Sequence, residues 1–260
     1  ALPIYGLGVG DLLSMVGRPG AGKTLQLLFA ALHGWSTPAV EGVQDQSRLF
    51  VSMEMPILQI EQRMAAIHTH LPGGKLKQGK LASKSFTKLK KGLKELKGFP
   101  HPFWIVDGNL AATVEDVTLL ARQLNPAAIF IDGGYLLKHP SERDRYKRVA
   151  ENADLIKSML CPIAPTVVSW QFSRSGGKKH LKKGEKPTMD DIGYTDAIAQ
   201  VSSLILGITQ AENVETLKAR QIDVLKGRFG ETGSFLTNWN WETMDFSEIV
   251  EKNVEDMHYD

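Results

Sequence analysis

Apolar and polar positions along the chain follow two alternating rhythms. Short runs of mostly apolar, β-branched or aromatic residues read as strands: Leu12–Val16, Arg48–Met53, Phe103–Val106, Ala127–Ile131, Thr166–Trp170, Leu204–Ile208, Gln221–Leu225 and Ser234–Trp239. Between them the apolar positions recur at helical spacing. Leu25–Leu32 reads as a buried helix, and a second opens at Pro56 with Ile57, Ile60, Met64 and Ile67 on one face. Thr113 with Asp116 can cap a third, which presents Val114, Val117, Leu120, Ala121 and Leu124. A fourth is expected from Ser141, with Tyr146, Val149, Ala150, Ala153, Ile156 and Leu160 inward. Strands alternating with helices, several of them apolar throughout, predict an α/β fold with a doubly wound, mainly parallel sheet covered by helices on both faces. The segments 71–101 and 174–190 are rich in Gly, Pro and Lys and read as loops or insertions.

Composition narrows the class. The 260 residues are 42% hydrophobic, ample for a sizeable core and against disorder over most of the chain. The length suggests one large domain, assigned to residues 1–245, followed by an acidic tail over 246–260. No apolar run reaches the roughly 18 residues of a membrane span, and the first residues lack the basic start and apolar stretch of a secretory signal. A single cysteine, Cys161, cannot form an internal disulfide. The expectation is a soluble, cytoplasmic protein with no membrane partner.

Charge is nearly balanced, at +2, but unevenly placed. Nine lysines face one acid, Glu95, between Lys75 and Lys97, which reads as a solvated helical face. Six basic residues (Arg174, Lys178, Lys179, Lys182, Lys183 and Lys186) stand against Glu185, and seven acids against Lys252 lie between Glu242 and Asp260.

The strongest chemical signal is Gly17-Arg18-Pro19-Gly20-Ala21-Gly22-Lys23-Thr24, which matches the phosphate-binding loop G-x-x-x-x-G-K-[ST] between an apolar strand and an apolar helix. Its glycines let backbone N–H groups turn inward around phosphates, and the helix N-terminus adds its positive end. Lys23 would reach the β- and γ-phosphates of ATP, and the Thr24 hydroxyl would ligate Mg²⁺. By contrast, Gly6-Leu7-Gly8-Val9-Gly10 precedes its strand and reads as a turn.

Asp132 ends the apolar strand AAIFI, the Walker-B arrangement of a metal-binding carboxylate. The glutamate that AAA-type ATPases place immediately afterwards is replaced by Gly133. Glu54, at the end of the second strand, is the candidate to polarise the attacking water, the alternative being an acid that caps the helix after Pro56. In a doubly wound sheet the ends of parallel strands share one crevice, so Glu54, Asp132 and the phosphate loop are expected to converge. Gln171 follows another strand and can sense a γ-phosphate. The basic segment after it then becomes a candidate nucleic-acid contact, mainly to phosphates, and otherwise a solvated surface. Lys226 and Arg228 sit either in a hairpin turn with solvated side chains or as a pair reaching a neighbouring subunit's γ-phosphate.

Taken in order, GVGDLLSMVGRPGAGKT, FVSMEMPILQIEQR, the stretch around LKQGKLASKSFTKL, IFIDGGYLLK, VVSWQFSR, KPTMDDIGYTDAIAQ and LKGRFGETG resemble the motor domain of the hexameric replicative DNA helicases of the DnaB type, among the RecA-like P-loop ATPases. The resemblance covers roughly residues 6 to 240. It implies that Glu54 is the catalytic glutamate, Asp132 the Walker-B acid and Gln171 the phosphate sensor, with Lys226 and Arg228 acting in trans on the adjacent subunit. It also implies a homo-oligomeric, hexameric ring threaded by single-stranded DNA, translocating 5′ to 3′ and working with primase or other replication proteins. Two competing classes stay open: a filament-forming RecA-type recombinase or DNA-dependent ATPase, which would share the phosphate loop, sheet and crevice, and an ATP-switched adaptor that unwinds nothing. The chain departs from the family pattern at Gly133-Gly134, inserted where the family goes directly from aspartate to tyrosine and leucine. It departs again at Ala199-Gln200-Val201-Ser202-Ser203, which replaces an acidic run and keeps only Gln200. The family's N-terminal domain and linker helix have no counterpart in these residues.

Overall fold

The computed structural model describes residues 6–37, 45–171, 195–209, 218–228 and 230–249. Every apolar run named above becomes a strand of a single sheet: β1 (Leu12–Gly17), β2 (Arg48–Ser52), β3 (Phe103–Asp107), β4 (Ala128–Asp132), β5 (Thr166–Gln171), β6 (Leu204–Thr209), β7 (Ala219–Lys226) and β8 (Gly233–Asn238). Their spatial order is β3-β2-β4-β5-β1-β6-β7-β8. The first six run parallel, and β7 and β8 return antiparallel along one edge.

Helices cover both faces, as the continuous apolar strands require. Against one face lie α1 (Lys23–Ser36) and α2 (Ile57–Thr69), burying Leu27, Leu28, Ile60 and Ile67 against Phe50 and Phe130 together with Trp239, Met244 and Phe246. On the other face, α5 (Val114–Leu124) and α6 (Arg145–Leu155) bury Val114, Val117, Val149 and Ala153 against Val51, Ile129, Ile131 and Trp170. The expected cap of α5 is present as a reciprocal pair: Thr113 accepts from the Asp116 N–H, and the Asp116 carboxylate accepts from the Thr113 N–H.

Two local expectations are corrected. The segment 71–101 is largely helical, with α3 (Gly73–Lys77) and α4 (Ser83–Gly98). The glycine and lysine content that suggests a loop instead serves an outer helix: Gly92 is the one buried residue of α4, and a Cβ there would stand 2.3 Å from Thr69 Cγ2 of α2. The fourth helix starts at Arg145 and not at Ser141, because Asp144 accepts from the backbone N–H groups of Tyr146 and Lys147. His139 Nδ1 meanwhile holds the N–H groups of Ser141 and Glu142 in a turn. Tyr146, expected inward, is 48% exposed. The second loop candidate, 174–190, lies outside the described residues, where the short helix α7 (Thr195–Val201) follows.

Packing continues past the boundary expected at 245. Phe246 is buried, the Asn238 N–H donates to Ser247 O at 2.7 Å, and the Ile249 N–H donates to Leu236 O at 2.8 Å. Among the described residues no helix is long and apolar enough to cross a membrane.

Candidate nucleotide site

The parallel register brings the chemistry to one edge of the sheet. Gly17 at the end of β1 lies beside Gln171 at the end of β5, and Ser52 at the end of β2 lies beside Asp132 at the end of β4. The phosphate loop leaves that edge with Gly20 and Gly22 at φ +78° and +100°, a region that side chains with a Cβ rarely enter. It runs straight into α1, whose N-terminus has no side-chain cap and no acid in its first turn. The leading N–H groups of the helix, with the positive end of its dipole, are thereby suited to an anion. Lys23 is buried and donates to the carbonyls of Gly17 and Arg18, both at 3.0 Å. Burial lowers the pKa of its ammonium, and the charges of Glu54 and Asp132 work in the opposite direction.

Asp132 is held from β5. The Ser169 hydroxyl donates to Oδ1 at 2.9 Å and accepts from the Gly133 N–H at 2.8 Å. Burial pushes the Asp132 carboxyl up to about 6, aided by the charge of Glu54 and resisted by the side chains of Thr24 and Ser169 and the charge of Lys23. Among the described residues its buried Oδ2 has no hydrogen-bond partner. A buried oxygen with a spare lone pair, adjacent to a threonine hydroxyl, fits a hard divalent cation. Among the described residues no group of three or more His, Cys, Asp or Glu is placed to bind a metal.

Glu54 sits on a tight turn in which the Ser52 hydroxyl donates to Met55 O at 2.8 Å and accepts from the Met55 N–H at 3.2 Å. The turn is tied to Asp132 by the Met53 N–H, which donates to Asp132 O at 2.9 Å. Glu54 accepts a hydrogen bond from the Tyr135 hydroxyl, and Tyr135 Oη accepts from Gln171 Nε2 at 2.6 Å. Lys23, Thr24, Glu54, Asp132 and Gln171 therefore occupy one site. Lys226 and Arg228 do not join it. β7 is antiparallel, and Lys226 pairs with Ile205 near the start of β6, whereas the phosphate-loop end of β1 pairs with Ile208. A six-residue strand spans about 20 Å, so the pair occupies the opposite end of the sheet. There the Lys226 ammonium donates to Ala199 O and Ser202 O at 2.6 and 2.7 Å, and Arg228 pairs with Asp11. Arg174, Lys178, Lys179, Lys182, Lys183 and Lys186 lie outside the described residues.

Four residues at this edge escaped the sequence reading. Ser169 and Tyr135 act through Asp132 and Glu54, and their only signals were a polar residue interrupting an apolar strand and a tyrosine displaced by two glycines. Arg63 of α2 lies close enough to Asp132 and Glu54 for both to raise its pKa, although burial, the stronger influence, lowers it. Trp239 reaches the phosphate loop from the far edge of the sheet: a Cβ on Gly22 would stand 1.9 Å from its ring, and the Arg220 guanidinium lies 4.7 Å over the indole.

A glycine-rich phosphate loop, a buried strand-end aspartate and a second carboxylate on the next strand end define a P-loop nucleotide-binding domain. Residues 3–248 match the family model described as the DnaB-like helicase C terminal domain, and the chain belongs to that family. It is 24% identical over 228 residues to the replicative DNA helicase DnaB of Rickettsia felis, covering 83% of this chain and 44% of that protein. It is also 24% identical over 248 residues to a probable plasmid replicative DNA helicase of Chlamydia trachomatis, covering 94% and 52%. The chain thus spans about half the length of these relatives. Its fold is that of a solved DnaB-like replicative helicase, reported with its interactions with primase (TM-score 0.78, 19% identity, 94% of this chain and 58% of that one). A solved ATPase domain is equally similar (TM-score 0.79, 19% identity, 95% and 87%). The RecA-like fold expected from the motifs is the fold observed.

Proposed function

We propose that the chain is the motor of a replicative DNA helicase: it hydrolyses ATP with Mg²⁺ at interfaces between identical subunits arranged in a ring, and so moves along single-stranded DNA. The observation that carries this reading is the division of the site residues between the two ends of the sheet. Lys23, Thr24, Glu54, Asp132 and Gln171 gather at one end, and Lys226 and Arg228 stand at the other. Two cations that cannot reach their own chain's phosphate loop could meet a neighbour's on leaving the Ala199 and Ser202 carbonyls and Asp11.

In this mechanism the N–H groups of residues 17–24 and the Lys23 ammonium bind the phosphates, while the Thr24 hydroxyl and Asp132 Oδ2 would hold the cation. Mg²⁺ supplies charge neutralisation at the phosphate oxygens when bound. Glu54 orients and polarises the attacking water. Arg228, released from Asp11, stabilises charge on the transferred phosphoryl group of the adjacent subunit; arginines in that position are worth about 10³–10⁵ in turnover. Gln171 reports the γ-phosphate to the segment that follows it, whose six basic residues would contact DNA phosphates. A cytoplasmic location and interaction with primase belong to the same reading, the latter supported by the description of the solved relative.

ATPase and forked-DNA unwinding assays test it together. Glu54→Gln should cut turnover by about 10²–10⁴ while retaining nucleotide binding, and the unaltered chain should separate strands only with ATP. Full turnover in Glu54→Gln removes the water-activating role. ATP hydrolysis without unwinding points to the adaptor reading, and open filaments in place of closed rings in electron micrographs point to the recombinase.

A further inference from the structure

Three side chains link β5 to the edge of β2. Gln171 Nε2 donates to Tyr135 Oη at 2.6 Å, and the Tyr135 hydroxyl donates in turn to Glu54 Oε1. A phenol has one proton to give, so its donation to Glu54 leaves the lone pairs of Oη to receive the amide. Burial, reinforced by the hydrogen bond to Glu54, pushes the Tyr135 pKa up, and the phenol stays a donor at neutral pH.

The paired glycines that interrupt the family pattern make the link possible. Gly133 has φ +97°, and a Cβ on it would stand 3.2 Å from Glu54 Cγ. A Cβ on Gly134 would stand 2.5 Å from Val168 Cγ1 and 3.0 Å from the Trp170 ring. The backbone turns tightly against β5 through Gly134–Leu136 and delivers the Tyr135 ring, itself buried, between Glu54 and Gln171. Glu54 is otherwise exposed, on a turn whose own hydrogen bonds are between Ser52 and Met55.

We propose that Tyr135 is a positioning residue that restrains Glu54 through its hydroxyl and makes the activation of water conditional on the state of Gln171. The inference rests on the motor reading above. With Tyr135 bonded to Glu54, one carboxylate oxygen is occupied and the group is turned toward β5. A shift of Gln171 toward a γ-phosphate withdraws the amide proton from the phenol, loosens the pair and frees Glu54 for water. Because Gln171 leads directly into the basic segment, a change of grip on DNA reaches the carboxylate by the same route.

The test is steady-state ATP hydrolysis by the full chain and its Tyr135→Phe variant, each with and without single-stranded DNA. The phenylalanine keeps the ring and removes both hydrogen bonds. The rate without DNA should rise about tenfold, the size expected for loss of one charge-assisted hydrogen bond, KM for ATP should stay within about twofold, and the ratio of DNA-stimulated to basal rate should fall toward one. Adding Gln171→Leu to Tyr135→Phe should change that ratio no further, since both act through one chain. An unaltered ratio in Tyr135→Phe overturns the inference, as does an equal fall in both rates, the result of a mere packing defect. If Tyr135→Phe does not fold, Gln171→Leu breaks the same chain at its other link: a raised rate without DNA supports the inference, because loss of a γ-phosphate sensor alone would not raise it, and an unaltered or lower rate without DNA overturns it. An unaltered chain that turns over no ATP overturns the motor reading itself, whereas DNA-stimulated turnover with an unaltered ratio in the variant overturns only the role of Tyr135.

Discussion

Asp132 illustrates what a buried carboxylate costs a fold before any ligand arrives. It ends a strand buried on both faces, one of its oxygens is satisfied by Ser169, and the other has no hydrogen-bond partner among the described residues. With its pKa lifted from 3.8 to about 6, the native chain holds a proton that the unfolded chain has released, so stability falls as pH rises through that window and levels off above it. The shift corresponds to ~3 kcal/mol for this group. Thermal unfolding between pH 4 and 7.5, without nucleotide or divalent cation, should therefore show Asp132→Asn gaining on the unaltered chain as pH rises. Parallel profiles would mean that the carboxylate is not strained by burial. Mg²⁺ with nucleotide should close the gap, because a cation satisfies the oxygen that the proton otherwise covers.

At the scale of elements, the phosphate loop is wedged from a distant part of the chain. Trp239 closes off β8 and packs its ring against Gly22, where positive φ and contact both demand glycine. Gly22→Ala should lower nucleotide affinity and thermal stability, the latter by about 1–3 kcal/mol as for overpacking elsewhere, measured by nucleotide titration and by unfolding. Wild-type values for both would show that the wedge is loose. None of this contact was legible in the sequence, because a tryptophan at the end of an edge strand carries no mark of what it touches. The strands were legible, since a sheet buried on both faces needs runs that are apolar throughout. So were the phosphate loop and the carboxylates at strand ends, since parallel order alone brings such ends together. Helix ends were read less well: at the fourth helix two caps competed, and the aspartate three residues past Ser141 accepts two backbone bonds and starts the helix. The lysine-rich segment misled through composition, its glycine serving close packing of α4 on α2 and not a turn. Tyr135 and Ser169 stayed hidden because they act on other side chains, and such pairings depend on register that periodicity does not specify.

Viewed whole, the molecule divides its candidate site residues between the two ends of the sheet, along the strand direction. One end of the sheet carries the phosphate loop and its acids, and the other carries Lys226 and Arg228, engaged with the Ala199 and Ser202 carbonyls and with Asp11. In the motor reading a single chain is half a catalytic site. Arg228→Ala and Lys23→Ala should each be inactive alone, yet mixed in equal amounts they should recover part of the turnover, because some interfaces then pair an intact phosphate loop with an intact arginine. Absence of any recovery across mixing ratios argues against catalysis in trans. The most direct measurement is ATP turnover per chain followed across protein concentration, with and without single-stranded DNA. A site shared between neighbours predicts a rate per chain that climbs with concentration to a plateau, reached at lower concentration when DNA is present. A rate per chain that stays constant from the most dilute sample upward would mean that one chain holds a complete site, and would contradict the account.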